Sequence, residues 1–404
     1  MISVEEALQR ILAGFQPLPA EVLPIGEAFG RVLAEPLVAR ATQPPAAVSA
    51  MDGYAVRAAD VAAVPCELEV VGHVPAGSSH DGRLQPGQAV RIFTGAPLPE
   101  GADSIVIQED TEALDGRVRV LESVRQGNYV RPAGLDFRAG EVGLEAGRRL
   151  TARDVGLAAA MDRPWLSVRR RPRVAILATG DEVVMPGEPR GPNQIVSSNG
   201  LSLSAAVRAC GGEPLLLAIA RDDAASLQAL AGEARGADLL VTTGGASVGE
   251  HDLVRQALGE RGLELDFWQI AMRPGKPLMF GRIQGTPLLG LPGNPVSTVV
   301  CATLFLRPVL ERLQGLERPP HRLLPARLGV PLKQNDRRQD YLRSRLERQP
   351  DGTVVASPFP RQDSSMLAVL SQAEGLVVRA PHAPPAAAGD PIAYLPLDGD
   401  LLSL

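Results

Sequence analysis

The sequence is poor in the side chains that most readily announce a chemistry. Its three cysteines, Cys66, Cys210 and Cys301, lie far apart with no CxxC pair, so neither a disulfide framework nor a zinc ribbon is indicated. Five scattered histidines without an HExxH pattern remove the common zinc-hydrolase arrangement. No apolar run approaches the ~20 residues of a membrane span. The N-terminal stretch "MISVEEALQRILAG" is acidic and lacks the basic start of a secretory signal. A net charge of -5 leaves no electrostatic footprint for nucleic acid or an acidic membrane, so any anion must be held locally. Lysine is nearly absent: among 41 basic residues only Lys276 and Lys333 are lysines. A soluble, cytoplasmic protein is expected.

What is present is a long chain with ample core. At 404 residues, 45% hydrophobic and 22% charged, it can fold as several domains and is not disordered as a whole. Ser3 and Glu6 read as a capping box, and Val4, Ala7, Leu8, Ile11 and Leu12 share one helical face that Gly14 can close. Residues 1–43 and 136–170 read as a discontinuous helical domain, and 44–135 as a β-rich insertion of short apolar stretches between Pro/Gly/Asp turns. The basic run "RPWLSVRRRPR" (163–173) reads as a solvated linker at a domain boundary rather than an anion site. Over 171–317 strands such as "RVAILATG" and "DLLVTTGG" alternate with helices, with Asn199 as N-cap of one of them, which indicates a doubly wound, mostly parallel α/β domain. "LDFWQIAM" and "PLMFG" read as further strands, and 318–404 as a small C-terminal β domain.

Ligands of a doubly wound sheet bind at the carboxyl ends of its strands. Four loops at such ends share a composition: "ATGDE" (178–182), "ARDD" (220–223), "TTGGASVGEHD" (242–252) and "GLPGNPVS" (290–297). Glycine lets backbone N–H groups approach an anion, and the following helix presents its positive end. Any one such loop is commonplace in α/β proteins; four together point to a phosphate-bearing ligand. Acids cluster at the same ends: Asp181, Glu182, Asp222, Asp223 and Asp252. Beside a phosphate they repel unless a hard cation such as Mg²⁺ bridges them, while Asp223 and Asp252 also suit helix capping. "RPGKP" (273–277) places Arg273 and Lys276 in a proline-stiffened turn, either an oxyanion clamp or a plain surface turn. The cysteines, Cys301 included, read as small buried hydrophobes.

"SAMDGYAVR", "RIFTGAPLPEGAD", "ATGDE", "TTGGASVGEHD", "RPGKP" and "GLPGNPVS", in this order and over nearly the whole chain, resemble the molybdopterin molybdenumtransferase family, to which the C-terminal domain of gephyrin also belongs. The resemblance implies an elongated subunit of four domains ending in a β-barrel. It also implies a homodimer whose active site joins the α/β domain of one subunit to the insertion of the other. It further implies Mg²⁺, with adenylylated molybdopterin and molybdate as substrates and AMP as a product. Carried onto this sequence, Asp52 and Thr94 would reach in from the partner subunit, with Asp136 a further acidic position. Asp181 and Glu182 would hold the metal, and Asp222 and Asp252 would help to organise it and the ligand. Thr243, Gly244, Gly245 and Ser247, with Pro292, Gly293, Asn294 and Pro295, would cradle pterin or phosphate. Arg273, Lys276, Ser297, Arg343 and Ser364 would form a molybdate pocket. No covalent protein nucleophile is implied. The chain departs from the family pattern at Gln269 and Arg273, where lysine is usual, at Ser197, where an acid is usual, and at Leu135 and Asp363. Two other readings stay open: a molybdopterin adenylyltransferase, and a non-catalytic carrier or scaffold that stores the finished cofactor or docks on a partner's peptide; other molybdenum cofactor biosynthesis or acceptor proteins are further candidate partners.

Overall fold

The computed structural model describes residues 1–75, 77–244, 259, 262–316 and 321–397. Its central sheet has six strands in the order Glu213–Leu216, Arg173–Ala178, Leu239–Thr243, Thr286–Leu291, Met279–Ile283 and Leu263–Phe267. The first four run parallel. Arg173–Ala178 is buried after its first residue and Leu239–Thr243 throughout, as strands covered on both faces must be. Val174, Ile176, Val241 and Leu289 face one core with Leu203, Val207, Val300 and Leu310 of the helices. The alternate residues Ala175, Leu177, Leu240 and Leu288 face a second core with Leu227.

The sheet is mostly parallel, as expected, but its last two pairings are antiparallel because Met279–Ile283 runs against its neighbours. Only Gln284 and Gly285 separate Met279–Ile283 from Thr286–Leu291, and both have positive φ, 48° and 85°. Two such residues make a tight hairpin turn, whereas a parallel return needs a crossover of a dozen residues or more. The sheet is therefore mixed.

The expected helical domain over 1–43 and 136–170 also needs correction. Helix Val4–Ala13 forms, with Ser3 Oγ accepting from the Glu6 N–H at 3.0 Å. The reciprocal half of the box is not made; Glu6 pairs with Arg10 one turn on, at 3.5 Å. The buried face of this helix, Val4, Ala7, Leu8 and Ile11, packs into the core of the central sheet instead of against the second helical segment. In the remainder, Ala152–Ala160 is helical, capped reciprocally by Thr151 and Asp154. Ala20–Pro24 and Trp165–Arg169 pair as antiparallel strands. The basic run is thus no linker. Leu166 and Val168 point into a cluster with Leu23, Leu33 and Leu150, and Arg170 forks onto Asp238 at 2.7 and 3.0 Å. The density of arginine had hidden a two-residue alternation.

The insertion carries a second six-stranded sheet, in the order Ser104–Ile107, Gly53–Val56, Gln88–Ile92, Cys66–Val74, Arg117–Val120, Thr111–Leu114. At the C-terminal end, Gln339–Arg348 pairs on either side with Val354–Pro358 and Gly375–Arg379. Leu324–Leu328 pairs with Val354–Pro358 and Pro391–Pro396, and the latter with Gly375–Arg379. These pairings close a five-stranded barrel, which leaves no free edge within the ring.

Gly53 sits in a strand whose neighbour leaves no room for a side chain, since a Cβ there would lie 2.0 Å from the Val106 carbonyl oxygen. Gly53→Ala should therefore push the paired strands apart and cost about 3 kcal/mol, the upper end of the usual overpacking range. Thermal unfolding checks it: a midpoint equal to that of the unmodified protein would contradict this packing.

Candidate active site

In the central sheet the first strand, Arg173–Ala178, lies between the second and the third. The chain therefore leaves the carboxyl ends of Arg173–Ala178 and Leu239–Thr243 in opposite directions, the switch point at which a doubly wound sheet forms its ligand crevice. The Thr179 N–H donates to the Thr243 carbonyl at 3.0 Å, and the Gly180 N–H to that of Ala220 at 3.1 Å. Gly244 has φ 92°, and a Cβ on it would lie 2.6 Å from the Thr179 carbonyl oxygen. A Cβ on Gly293 would lie 3.4 Å from the Gly244 Cα. The "ATGDE" and "TTGG" loops therefore touch backbone to backbone, and the "GLPGNP" loop lies one methyl's width from them.

Asn199 braces this contact. Its Nδ2 donates to Thr243 Oγ1 at 2.9 Å and to the Gly293 carbonyl at 2.7 Å. Thr243 Oγ1 in turn donates to the Pro292 carbonyl at 3.2 Å. The N-cap role expected for Asn199 falls to Ser198, which makes no side-chain cap bond. Asn199 is thus a site residue that sequence reasoning mistook for a cap; its one legible signal was an amide side chain at a helix start on the ligand side of the sheet. Pro295 opens the helix Pro295–Cys301, as proline suits a first turn. Gly245, Ser247 and Asp252 lie outside the described residues.

The acids divide by environment. Asp223 accepts from the Ser226 N–H at 2.7 Å and caps the helix Ala224–Glu233, so its role here is structural. Asp181 Oδ1 accepts from the Asp222 N–H at 3.3 Å. Burial pushes the Asp222 carboxyl up, a backbone hydrogen bond with Asp181 partly offsets this, and the negative charges of Glu182 and Asp181 push it further up. Hard carboxylate oxygens that repel one another suit a divalent cation. Among the described residues no three His, Cys, Asp or Glu side chains already form a cation cage. This donor set fits Mg²⁺, which is usually held by one or two carboxylates, with phosphate oxygens and waters filling the other positions.

The cations divide as well. Arg273 is spent within the protein: its guanidinium bonds Asp340, Asn335 at 3.3 Å and Asp336 at 3.3 Å. Met272–Arg273 also pairs in parallel with Gln339 and Asp340 of the barrel. Arg343 is 1% exposed. It donates to the Gln362 amide oxygen at 3.2 Å and to the Met366 carbonyl at 3.1 Å, so it shapes the loop carrying Ser364. That loop docks on the central domain: Asn294 Nδ2 donates to Ser364 Oγ at 2.8 Å, and the Val296 N–H to the Ser364 carbonyl at 3.1 Å. Ser297 is buried one residue further into the same helix. Lys276 is half-buried and has no ion pair among the described residues. Of the basic residues assigned to the clamp, it is the one whose charge remains available.

In the insertion, Asp52 Oδ1 accepts from both the Thr94 N–H and the Thr94 hydroxyl, each at 2.8 Å. These two donors, with the Arg91 charge beyond them, hold the Asp52 carboxyl below the usual carboxylate range. Asp136 lines an open cleft of about 740 Å³ with Gly95, the residue after Thr94, and with Arg131, a cation the sequence reading passed over. No hydrogen bond or ion pair joins this group to the central-domain group among the described residues. A separate cavity of about 550 Å³ between Phe29, the helix Asn199–Ala209 and Leu397 is lined by none of the expected site residues.

A carboxyl whose folded value is raised contributes stability below its ordinary range, and that contribution is lost as pH rises through that range to the folded value. Asp222→Asn stays neutral throughout. It should therefore raise the unfolding midpoint relative to the unmodified protein more at pH 7 than at pH 4; an equal difference at both would contradict the repulsion.

Family models match along the chain in order: "MoeA N-terminal region (domain I and II)" over residues 2–161, "Probable molybdopterin binding domain" over 175–312, and "MoeA C-terminal region (domain IV)" over 325–397. A curated relative from Mycobacterium tuberculosis, "Molybdopterin molybdenumtransferase 2", is 39% identical over 93% of this chain and 95% of its own length. "Molybdopterin molybdenumtransferase" from a Nostoc species is 41% identical over 73% of this chain and 70% of its own. The solved structure of a molybdopterin biosynthesis MoeA protein from Pyrococcus horikoshii superposes with a TM-score of 0.86 at 33% identity, covering 99% of this chain and all of that one. With its acids, braced glycine loops and barrel loop on this shared frame, the chain belongs to the molybdopterin molybdenumtransferase family.

Proposed function

We infer that the protein inserts molybdenum from molybdate into adenylylated molybdopterin and releases AMP. The observation that carries this reading is the convergence, at one switch point, of braced glycine loops with a set of mutually repelling acids. A ligand bearing both a pyrophosphate and a flat ring fits such a crevice, because the backbone N–H groups can approach it and its charge calls for a cation. Asp181, Glu182 and Asp222 would hold Mg²⁺, which when bound would stabilise negative charge on the departing phosphate. Lys276 would offset the charge of the incoming molybdate, and the Ser364 loop, fixed by Arg343 and Asn294, would close that side. No step needs a protein nucleophile; the gain comes from holding two anions in register.

The reading extends to a homodimer with a composite site. Asp52 and Thr94 form a prepared pair, yet no hydrogen bond or ion pair ties them to the acids of their own chain among the described residues. A second copy would bring such a pair to the Asp181–Glu182 side. The work of a cytoplasmic biosynthetic enzyme matches this chemistry, and among the described residues no helix is long and apolar enough to cross a membrane.

The decisive assay mixes the purified protein with adenylylated molybdopterin, Mg²⁺ and molybdate, and follows AMP. Release that depends on molybdate supports the transferase. Formation of the adenylylated compound from molybdopterin and ATP would favour the adenylyltransferase, and ligand retention without turnover would favour a carrier. Glu182→Ala should abolish turnover while leaving ligand bound. Asp52→Ala and Glu182→Ala, each inactive alone, should regain activity in proportion to the mixed dimers formed when their subunits are exchanged; no recovery despite proven exchange would count against a shared site.

A further inference from the structure

Three threonine hydroxyls sit near the carboxyl ends of the two strands that border the crevice, and they differ in what they bond. Thr243 Oγ1 is occupied by Pro292 and Asn199. Thr242 Oγ1 is buried without a partner among the described residues, but it lies inside its strand, in register with Gly290. Thr179 Oγ1 is buried and, among the described residues, unpartnered as well, on a residue 4% exposed, and it lies one residue past the end of Arg173–Ala178. The Thr179 backbone is fixed on both sides by its N–H bond to the Thr243 carbonyl and by a parallel bridge to Ala220. The residue opposite the hydroxyl is Gly244, on which a Cβ would lie only 2.9 Å from Thr179 Oγ1. A buried hydroxyl without a partner costs free energy, and valine would fill the same space without that cost.

We propose that Thr179 Oγ1 hydrogen-bonds an acceptor oxygen of the phosphate-bearing ligand, making Thr179 a binding residue beyond those implied by the sequence resemblance. The hydroxyl stands between the acid loop and the glycine loop, next to Gly180 and Asp181. Its partner is therefore an oxygen held against those backbones, which marks the phosphate portion of the ligand and not the pterin edge. Gly244, already required by its positive φ and by the Thr179 carbonyl, also keeps a side chain away from the hydroxyl. This rests on the transferase reading for the identity of the ligand, but not for the hydroxyl's need of an acceptor.

The test uses the full chain, with adenylylated molybdopterin as the probe, and measures equilibrium binding and thermal unfolding side by side. Thr179→Val should weaken binding about tenfold, equivalent to about 1.4 kcal/mol. Its ligand-free midpoint should be unchanged or higher. Thr179→Ser should restore the affinity. Val binding as tightly as the unmodified protein would overturn the proposal. So would a ligand-free midpoint several degrees lower in Val and recovered in Ser, since the hydroxyl would then be serving the fold. If the unmodified protein binds the probe but releases no AMP with molybdate, the transferase reading fails while the binding comparison still decides the role of Thr179.

Discussion

Contact between backbones at the end of the central sheet is the constraint on which the rest depends. Gly244 lies against the Thr179 carbonyl and Gly293 against Gly244, so three loops from distant stretches of the sequence share one small volume. No side chain could fit between Gly244 and the Thr179 carbonyl, and Asn199 bonds to two of the three loops at once. A larger residue at Gly244 would push the glycine loop off the acid loop, and with it the loop that starts the helix Pro295–Cys301, to which Thr243 and Asn199 are bonded. The barrel loop would move with it, because Ser364 is bonded to Asn294 and Val296 on that same segment. Packing at one glycine thus sets the position of side chains contributed by three regions of the chain.

The second organising feature is how charge is spent. The chain is rich in arginine, and the two arginines assigned to the oxyanion clamp are tied down. Arg273 is fixed to Asp340 and to Asp336, whose carboxyl is held down to about 2 chiefly by its bond to Arg338. Arg343 faces backbone carbonyls, and burial lowers its own value. A guanidinium with a planar fork suits such fixed multidentate bonds. The rare lysine, Lys276, follows Arg273 in the same turn and has no carboxylate partner among the described residues. Arg273 fastens the barrel to the central domain, and Lys276 keeps its charge unpaired among the described residues. The scarcity of lysine in the sequence is therefore informative, although it could not reveal that its neighbour Arg273 was already engaged.

Most of the central sheet was legible in the sequence, because its strands are continuous apolar runs ended by glycine loops. The motifs at their ends pointed to the crevice in which the site is proposed. What the sequence hid was local competition. The hairpin at Gln284 and Gly285 reverses the chain, and a polar residue in a two-residue turn of positive φ carries little periodic signal. The run 163–173 was read by its charge while Leu166 and Val168 set its structure. The helix Val4–Ala13 was legible but assigned to the wrong neighbours, since amphipathicity says that a face is buried without saying against what. Asn199 and Thr179 were missed for a related reason. A cap and a cross-brace are the same residue type at the same sequence position, and an unpartnered hydroxyl can be recognised only once its surroundings are known.

Attachment differs between the two regions that flank the crevice, and the difference bears on how the site is completed. The barrel is joined to the central domain by a β pairing at Met272–Arg273, by the Arg273 ion pairs and by the docked Ser364 loop. Those bonds are of different kinds and lie at separate points, so the barrel loop cannot shift without breaking several at once. The Asp52–Thr94 pair is prepared differently: its bonds are internal to the insertion, and they hold the carboxylate ionised and oriented before any ligand arrives. A group made ready in this way, but not bonded to the acids of its own chain, suits delivery to another copy. Under the proposed shared site, fixing the barrel side and leaving the insertion to act across an interface would let each chain build one rigid crevice that is completed only on assembly.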